Sequence, residues 1–288
     1  MTQIQDDATL DALRPVQLPG EPLRERLVVK PGERLDLASL DATETFGHRK
    51  EQAEADLRTG LDRLTDLQSR IWAEQRHAVL VVLQGIDAAG KDGTLKHVMG
   101  AFNPQGCSVT SFKVPTEHEL AHDYLWRVHQ RMPARGEIAI FNRSHYEDVL
   151  IVRVHGLVPE EVWRPRYEQI NAFERMLTDE GTTILKFFLY IDRDEQRERF
   201  QARLDDPSKR WKFRRGDLDE RKRWDEYMAA FEEALSRCST ETAPWYVIPA
   251  NKKWFRNLAV ADILGDTLEE LDPRYPPPLE ELDGIVVE

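Results

Sequence analysis

Cysteine is nearly absent from this chain, with only Cys107 and Cys238 in 288 residues. That rules out a dense disulfide framework, and a reducing, cytoplasmic setting is expected. No apolar run approaches the roughly 20 residues that a membrane-spanning helix needs, so no membrane partner is expected. The opening stretch, MTQIQDDATLDALRP, is polar and acidic, unlike a secretory signal. Positive charge is also in deficit: 40 Lys and Arg stand against 52 Asp and Glu, a net charge of −12. A protein that grips nucleic acid over its whole surface is therefore not expected, although a local basic groove is still allowed. Internal repeats are missing too. What remains is an ordinary globular composition, 41% hydrophobic and 32% charged, in a chain long enough to bury a full core.

Short apolar runs alternate with amphipathic stretches. HAVLVVLQG, CSVTSFKV at 107–114, EIAIF at 137–141, TTILKFFLYID at 182–192 and WYVIP at 245–249 read as five buried strands. Helices are expected near 47–76, 91–102, 117–131, 159–180, 193–206, 217–237 and 252–271. In the first of these, Leu57, Leu61, Leu64, Leu67 and Ile71 recur at three- and four-residue steps. Alternating strands and helices indicate an α/β fold, with a parallel five-stranded sheet covered on both faces. The proline-bearing residues 1–45 read as an extended N-terminal arm, 46–271 as the main domain, and 272–288 as a peripheral tail.

The strongest local signal is Gly85-Ile-Asp87-Ala-Ala89-Gly90-Lys91-Asp92-Gly93-Thr94, which follows the first strand and opens a helix. That context marks a phosphate-binding loop. Gly85, Gly90 and Gly93 permit close backbone approach, and the N–H groups from Ala89 to Thr94 cradle oxyanions at a helix start. Lys91 supplies a point charge to the phosphates being exchanged. Asp92 stands where a magnesium-binding Ser or Thr is usual. Asp87 is a carboxylate inside a loop meant for anions, which points to a cation between them; the plain alternative is that it caps a turn.

The third strand in sequence, EIAIF, runs into Asn142-Arg143-Ser144-His145-Tyr146-Glu147. In P-loop kinases the neighbouring strand ends in an acid that helps hold the metal. Here that position is the neutral Asn142. Arg143 follows and can reach a transferring phosphoryl group, while Glu147, about one helical turn on, can supply the missing negative charge. An ordinary surface ion pair between Arg143 and Glu147 is the competing reading. Its weakness is location: the pair sits at the C-terminal edge of a buried strand, where open α/β sheets bind ligands.

Residues 196–216 carry eight basic residues against three acids: Arg197, Arg199, Arg203, Lys209, Arg210, Lys212, Arg214 and Arg215. Arg199 and Arg203 share a helix face, and Asp206-Pro207 breaks the helix. The segment reads as a hinged basic lid. With Lys91, Arg143, Arg127 and Lys96 it makes a cationic track longer than one nucleotide needs. A polyanionic co-substrate explains that length. Nucleic acid is disfavoured, since only Trp211 and Phe213 could stack bases there.

Two motifs compete for other chemistry. His118-Glu119-Leu-Ala-His122 spells HExxH, a zinc hydrolase pattern, but no third ligand fits the longer motif. Asn251-Lys252-Lys253-Trp254 begins like a guanine-reading NKxD and lacks the Asp.

Together, GIDAAGKDGT, FKVPTEHELAHDYLWRVH, FNRSHYEDVLIVRVH, RDEQRERFQARLDDPSKRWKF, DERKRWDEYMAAFEEAL and APWYVIPANKKWFR resemble the polyphosphate kinase 2 family over about residues 50–270. The resemblance implies a three-layer, thymidylate-kinase-like P-loop fold with a helical lid. It implies reversible phosphoryl transfer between inorganic polyphosphate and AMP, ADP or ATP, with Mg²⁺ and with Mn²⁺ as a substitute. Guanine nucleotides stand as alternative acceptors, and a homotetramer or homodimer is implied. In family terms Asp87 resembles the metal-binding loop acid, Lys91 the lysine on the transferred phosphate, Arg143 the arginine after the second motif, and Arg199, Lys209 and Lys212 lid residues lining the polyphosphate path. Asn142 with Glu147 resembles the branch called class III, which phosphorylates both AMP and ADP. An ATP-dependent nucleoside monophosphate kinase is the nearest alternative.

Overall fold

The computed structural model describes residues 21–281, 285 and 287. Five strands form one sheet: β1 (Ala78–Gln84), β2 (Cys107–Ser111), β3 (Ile138–Asn142), β4 (Thr182–Tyr190) and β5 (Trp245–Pro249). Their order is β2-β3-β1-β4-β5 and every pairing is parallel. Central β1, AVLVVLQ, is buried at all seven positions, as a strand covered on both faces must be. By contrast β2 lies at the sheet edge and shows exposed residues.

In chain order the helices are α1 (Leu23–Leu27), α2 (Lys50–Glu74), α3 (Lys91–His97), α4 (Glu117–Leu120), α5 (Trp126–His129), α6 (Ile151–Val154), α7 (Glu160–Trp163), α8 (Arg166–Asp179), α9 (Arg193–Asp205), α10 (Gly216–Lys222), α11 (Trp224–Cys238) and α12 (Lys253–Glu270). Helix α12 packs on α2, α3 and β5, whereas α8 packs on β4 and on α11. Parallel strands buried on both faces, joined by the right-handed crossovers expected of such sheets, place these two groups on opposite sides and give the three layers.

Several expected helices are shorter or divided, each for a local reason. The stretch 117–131 splits into α4 and α5, because Asp123 Oδ1 accepts the Leu125 N–H and turns the chain between them. Pro165 separates α7 from α8: Arg164 before it keeps helical angles, but Pro165 has no N–H with which to continue the helix hydrogen bonds. Arg223 separates α10 from α11, its guanidinium donating to the Val154 carbonyl. Strand β2 stops at Ser111, short of Pro115.

Residues 21–45 cross the β5 edge. Leu23, Leu27, Val29 and Leu37 are buried, Val28 bridges Tyr246, and the Val29 N–H reaches the Trp245 carbonyl at 2.8 Å. Residues 1–20, which open the expected N-terminal arm, lie outside the described residues, as do 282–284, 286 and 288 in the tail. None of the described helices is long and apolar enough to cross a membrane.

Candidate active site

The chain reverses direction across the sheet at β1, between β3 and β4, and the crevice beyond the strand ends there is where open α/β sheets hold ligands. The glycine-rich loop fills that position. Gly85 is required for space: a Cβ there would lie 2.8 Å from the Leu189 carbonyl and 2.9 Å from the Ala89 Cβ. Gly90 has φ +112°, and a Cβ on it would fall 1.9 Å from Arg256 Nη1. Both constraints admit glycine alone.

Lys91 opens α3 with its ammonium folded onto the loop, 2.6 Å from the Gly85 carbonyl and 3.3 Å from that of Ile86. Burial first, then Arg143, pushes its pKa down to about 8 against the pull of Asp87, Glu147 and Asp92. Thr94 is fully buried, with its hydroxyl 3.4 Å from the Gly90 carbonyl, so it faces back along the helix.

Arg143 sits just past β3 in the left-handed region, φ +63°, with its N–H on the Leu83 carbonyl. A non-glycine residue held there stores strain of about 1–3 kcal/mol. The conformation aims the guanidinium across the crevice at two acids: Asp87 at 2.5 Å and Glu147 at 3.2 Å. Glu147 first, then Asp87, raises the Arg143 pKa above its ordinary value despite burial. Glu147 rides on a 3-10 turn, His145–Asp148, capped by the Ser144 hydroxyl, rather than on a continuous helix from Asn142. Gln84, the last residue of β1, donates to its other oxygen at 3.3 Å. Asn142 Nδ2 donates to Asp92 Oδ1 at 3.0 Å, and Lys212 of the lid approaches Asp92 Oδ2 at 3.9 Å. Loop, β3 end and lid thus meet at Asp92.

Arg199 lies behind this front. Its Nη1 donates to the carbonyls of Ala88 and Ala89, both at 2.8 Å, its Nη2 to those of Ala250 and Asn251, and its Nε to Glu195. It clamps the loop backbone to the end of β5. Gln196 adds a hydrogen bond to the Asp87 carbonyl at 3.0 Å. Arg203 stacks over Phe200, and Lys209 pairs locally with Asp206 at 2.6 Å.

Three features escaped the sequence reading. The first is a buried network under the His145–Asp148 turn. Lys186, fully buried in β4, donates to Glu174, to the Tyr146 hydroxyl and to the Cys238 carbonyl, while His145 approaches Glu174 at 3.1 Å. Although burial pushes the Glu174 carboxyl up, Lys186 and His145 hold it below the usual carboxylate range. Every ammonium proton of Lys186 has an acceptor, which is what a buried charge requires. The available signal was a lone lysine inside the apolar run TTILKFFLY. The second feature is Arg256 on α12, lying against Gly90 and Gly93. The third is Gln84, which holds Glu147.

The HExxH stretch has other work. Glu119 and Thr116 form a reciprocal capping box at the start of the four-residue α4, and His122 stacks on Trp126 at 4.0 Å. Among the described residues no group of three or more His, Cys, Asp or Glu could hold a metal without help from other donors. Asn251, from the incomplete NKxD, exchanges hydrogen bonds with Asp192 and so ties the β4 and β5 ends together.

A family model described as Polyphosphate kinase 2 (PPK2) matches residues 47–276. A relative from Meiothermus ruber, named AMP/ADP-polyphosphate phosphotransferase, is 57% identical over 262 residues, covering 90% of this chain and 98% of its own. One from Rhodopseudomonas palustris, named ADP-polyphosphate phosphotransferase, is 47% identical over 261 residues, covering 86% and 90%. The crystal structure of Polyphosphate Kinase 2 from Arthrobacter aurescens TC1 matches with a TM-score of 0.89 at 44% identity, over 93% of this chain and 96% of that one. Loop, sheet order and these matches agree, and the chain belongs to the polyphosphate kinase 2 family.

Proposed function

We propose that this protein transfers phosphoryl groups reversibly between inorganic polyphosphate and nucleotides, with both AMP and ADP as acceptors. The observation that carries the reading is the meeting of Lys91, Arg143, Asp87 and Glu147 at the loop mouth, with the basic lid beside them. The dual acceptor range rests on Asn142 paired with Glu147, and on the name borne by the Meiothermus relative.

The chemistry asked of the protein is positioning and charge. A terminal phosphate oxygen of the nucleotide bonds to the terminal phosphorus of polyphosphate, and the bridging P–O bond behind that phosphorus breaks. The polymer leaves one unit shorter, and the reverse reaction lengthens it. The acceptor oxygen is already ionised, so no general base is required, and no covalent enzyme intermediate is needed. Lys91 and Arg143 stabilise the charge on the equatorial oxygens, acting from a crevice whose low dielectric strengthens each contact. Lys209 and Lys212 hold the trailing polyphosphate and exclude water.

Asp87 and Glu147 fit a hard divalent cation. Arg143 draws both carboxylates to one point, and such ions are commonly bound by one or two carboxylates plus substrate phosphates. Mg²⁺, with Mn²⁺ as a substitute, would neutralise charge between donor and acceptor there. Asp87→Asn should therefore raise the metal concentration needed for activity; an unchanged requirement would remove Asp87 from this role. Assembly as a homodimer or homotetramer belongs to the same proposal and is read by light scattering.

The direct test is incubation with Mg²⁺, polyphosphate and AMP or ADP, following ATP. Turnover only with ATP and a nucleoside monophosphate would instead favour an ordinary nucleotide kinase.

A further inference from the structure

The loop has a back as well as a front, and the back carries charge that the reaction described above does not use. Arg256, on the first turn of α12, is 2% exposed. Its Nε and Nη2 both donate to Asn257 Oδ1, at 3.1 and 2.8 Å. Its Nη1 has no hydrogen-bond partner among the described residues, and no carboxylate there forms an ion pair with it. Around it stand more cations: Arg199, whose Nη1 lies 3.6 Å from where a Gly90 Cβ would be, and Lys253, which senses Arg199, Arg256 and Lys209. The neighbouring acid is Glu195, and it is committed to Arg199 at 2.6 Å. Burial, then Arg199, presses the Arg256 pKa down to about 10.

A buried guanidinium without a counter-ion destabilises a fold unless something offsets it. Asn257 takes two of its donors, but among the described residues no carboxylate takes the charge. The placement suggests what does. Gly90 and Gly93 leave room for this group, since a Cβ on them would meet Arg256 at 1.9 and 2.9 Å. Arg199 takes the Ala88 and Ala89 carbonyls; the Ala89 and Thr94 N–H groups donate to the carbonyls of Ile86 and Gly90, while among the described residues those of Gly90 to Gly93 have no backbone acceptor and are left for an anion. The guanidinium therefore lies directly against the backbone that would face a bound anion. Across so short a span of low-dielectric protein the attraction is hardly screened.

We propose that Arg256 is a positioning residue of the phosphate loop: its unpaired guanidinium backs Gly90 and Gly93 and holds the loop at a positive potential that a bound polyphosphate offsets. The proposal rests on the loop gripping phosphates. It makes Arg256 a residue that weakens the free protein and strengthens the complex.

That opposition is the test. Arg256→Met keeps the bulk and removes the charge; Arg256→Lys keeps the charge. Tm is measured with and without inorganic tripolyphosphate, tripolyphosphate affinity by calorimetry, and KM and kcat with polyphosphate. The expected result is that R256M matches or exceeds the native Tm without ligand, binds tripolyphosphate at least tenfold more weakly, and gains less Tm on binding it. Its KM for polyphosphate should rise more than its kcat falls, and R256K should recover most of the affinity. A lowered Tm or failed folding in R256M would make Arg256 an ordinary packing residue and overturn the proposal, as would unchanged tripolyphosphate affinity. If the native protein itself bound no tripolyphosphate, the phosphate-gripping reading would fall first.

Discussion

The phosphate loop and the lid are both built from charged residues, yet they are wired in opposite ways. In the loop region the ties run between distant elements. Arg143 from the end of β3 holds Asp87 beyond β1, Gln84 holds Glu147, and Arg199 from α9 clamps the loop to the end of β5. In the lid beyond α9 they are local and solvent-exposed, as in Lys209 with Asp206, and the pairs Arg197 with Asp194 and Lys222 with Asp219 repeat the pattern at and beyond its two ends. Between residues 206 and 215, the ion pair that leaves the lid is Lys212 with Asp92, at 3.9 Å. Trp211 is 75% exposed. Cross-element bonds fix a geometry before substrate arrives, which is the condition for electrostatic catalysis. Local exposed pairs contribute about 0–1 kcal/mol each and are easily exchanged for a ligand. On the proposed function, the loop is the pre-set part of the site and the lid the recruitable part.

Substitutions can break that division, and the largest effect belongs to the loop. Lys91→Met should lower kcat by about 10³-fold or more, by analogy with the removal of one oxyanion donor, while the circular dichroism spectrum stays native. Asp87→Asn should follow at about 10²-fold under limiting Mg²⁺, with partial recovery at high Mg²⁺; a loss indifferent to metal would mean that Asp87 serves only to hold Arg143. The double change Lys209→Ala, Lys212→Ala should be milder, about tenfold, and confined to KM for polyphosphate, because exposed cations contribute binding more than transition-state stabilisation. Equal losses for polyphosphate and nucleotide would erase the distinction between loop and lid.

The smallest effect is on pH. Below about 8 the free protein carries a charged Lys91, and above it the charge is lost, so kcat/KM for polyphosphate should fall along a basic limb centred near pH 8. The effect on stability has the opposite sign. A lysine whose folded pKa is depressed binds fewer protons in the native state between about 8 and its ordinary 10.5, so its contribution to stability rises with pH across that window. Lys91→Arg should shift the activity limb upward.

Much of this was legible in the chain because it depends on local pattern. Strand runs such as AVLVVLQ and the glycines of GIDAAGKDG state their own conformation, and Asp87, Lys91, Arg143 and Glu147 do converge at the loop mouth. What could not be read depends on three-dimensional pairing. Arg199 reads as one more lid cation in RDEQRERFQAR, whereas its donors face the loop's carbonyls. Arg256 lies more than 160 positions from the glycines it touches, so no local pattern links them. Lys186 and Glu174 are 12 residues apart on different elements, and only folding makes their pairing visible. The divided helices at 117–131 and 217–237 turn on single side-chain bonds from Asp123 and Arg223.

The central claim is tested most directly by ATP formation from polyphosphate. The purified chain is supplied with Mg²⁺, long-chain polyphosphate and either AMP or ADP, with no other phosphoryl donor. ATP appearing from ADP, and ADP followed by ATP from AMP, with matching loss of polyphosphate, is the predicted result. No nucleotide product from either acceptor, alongside ready turnover when ATP is the donor, would contradict it.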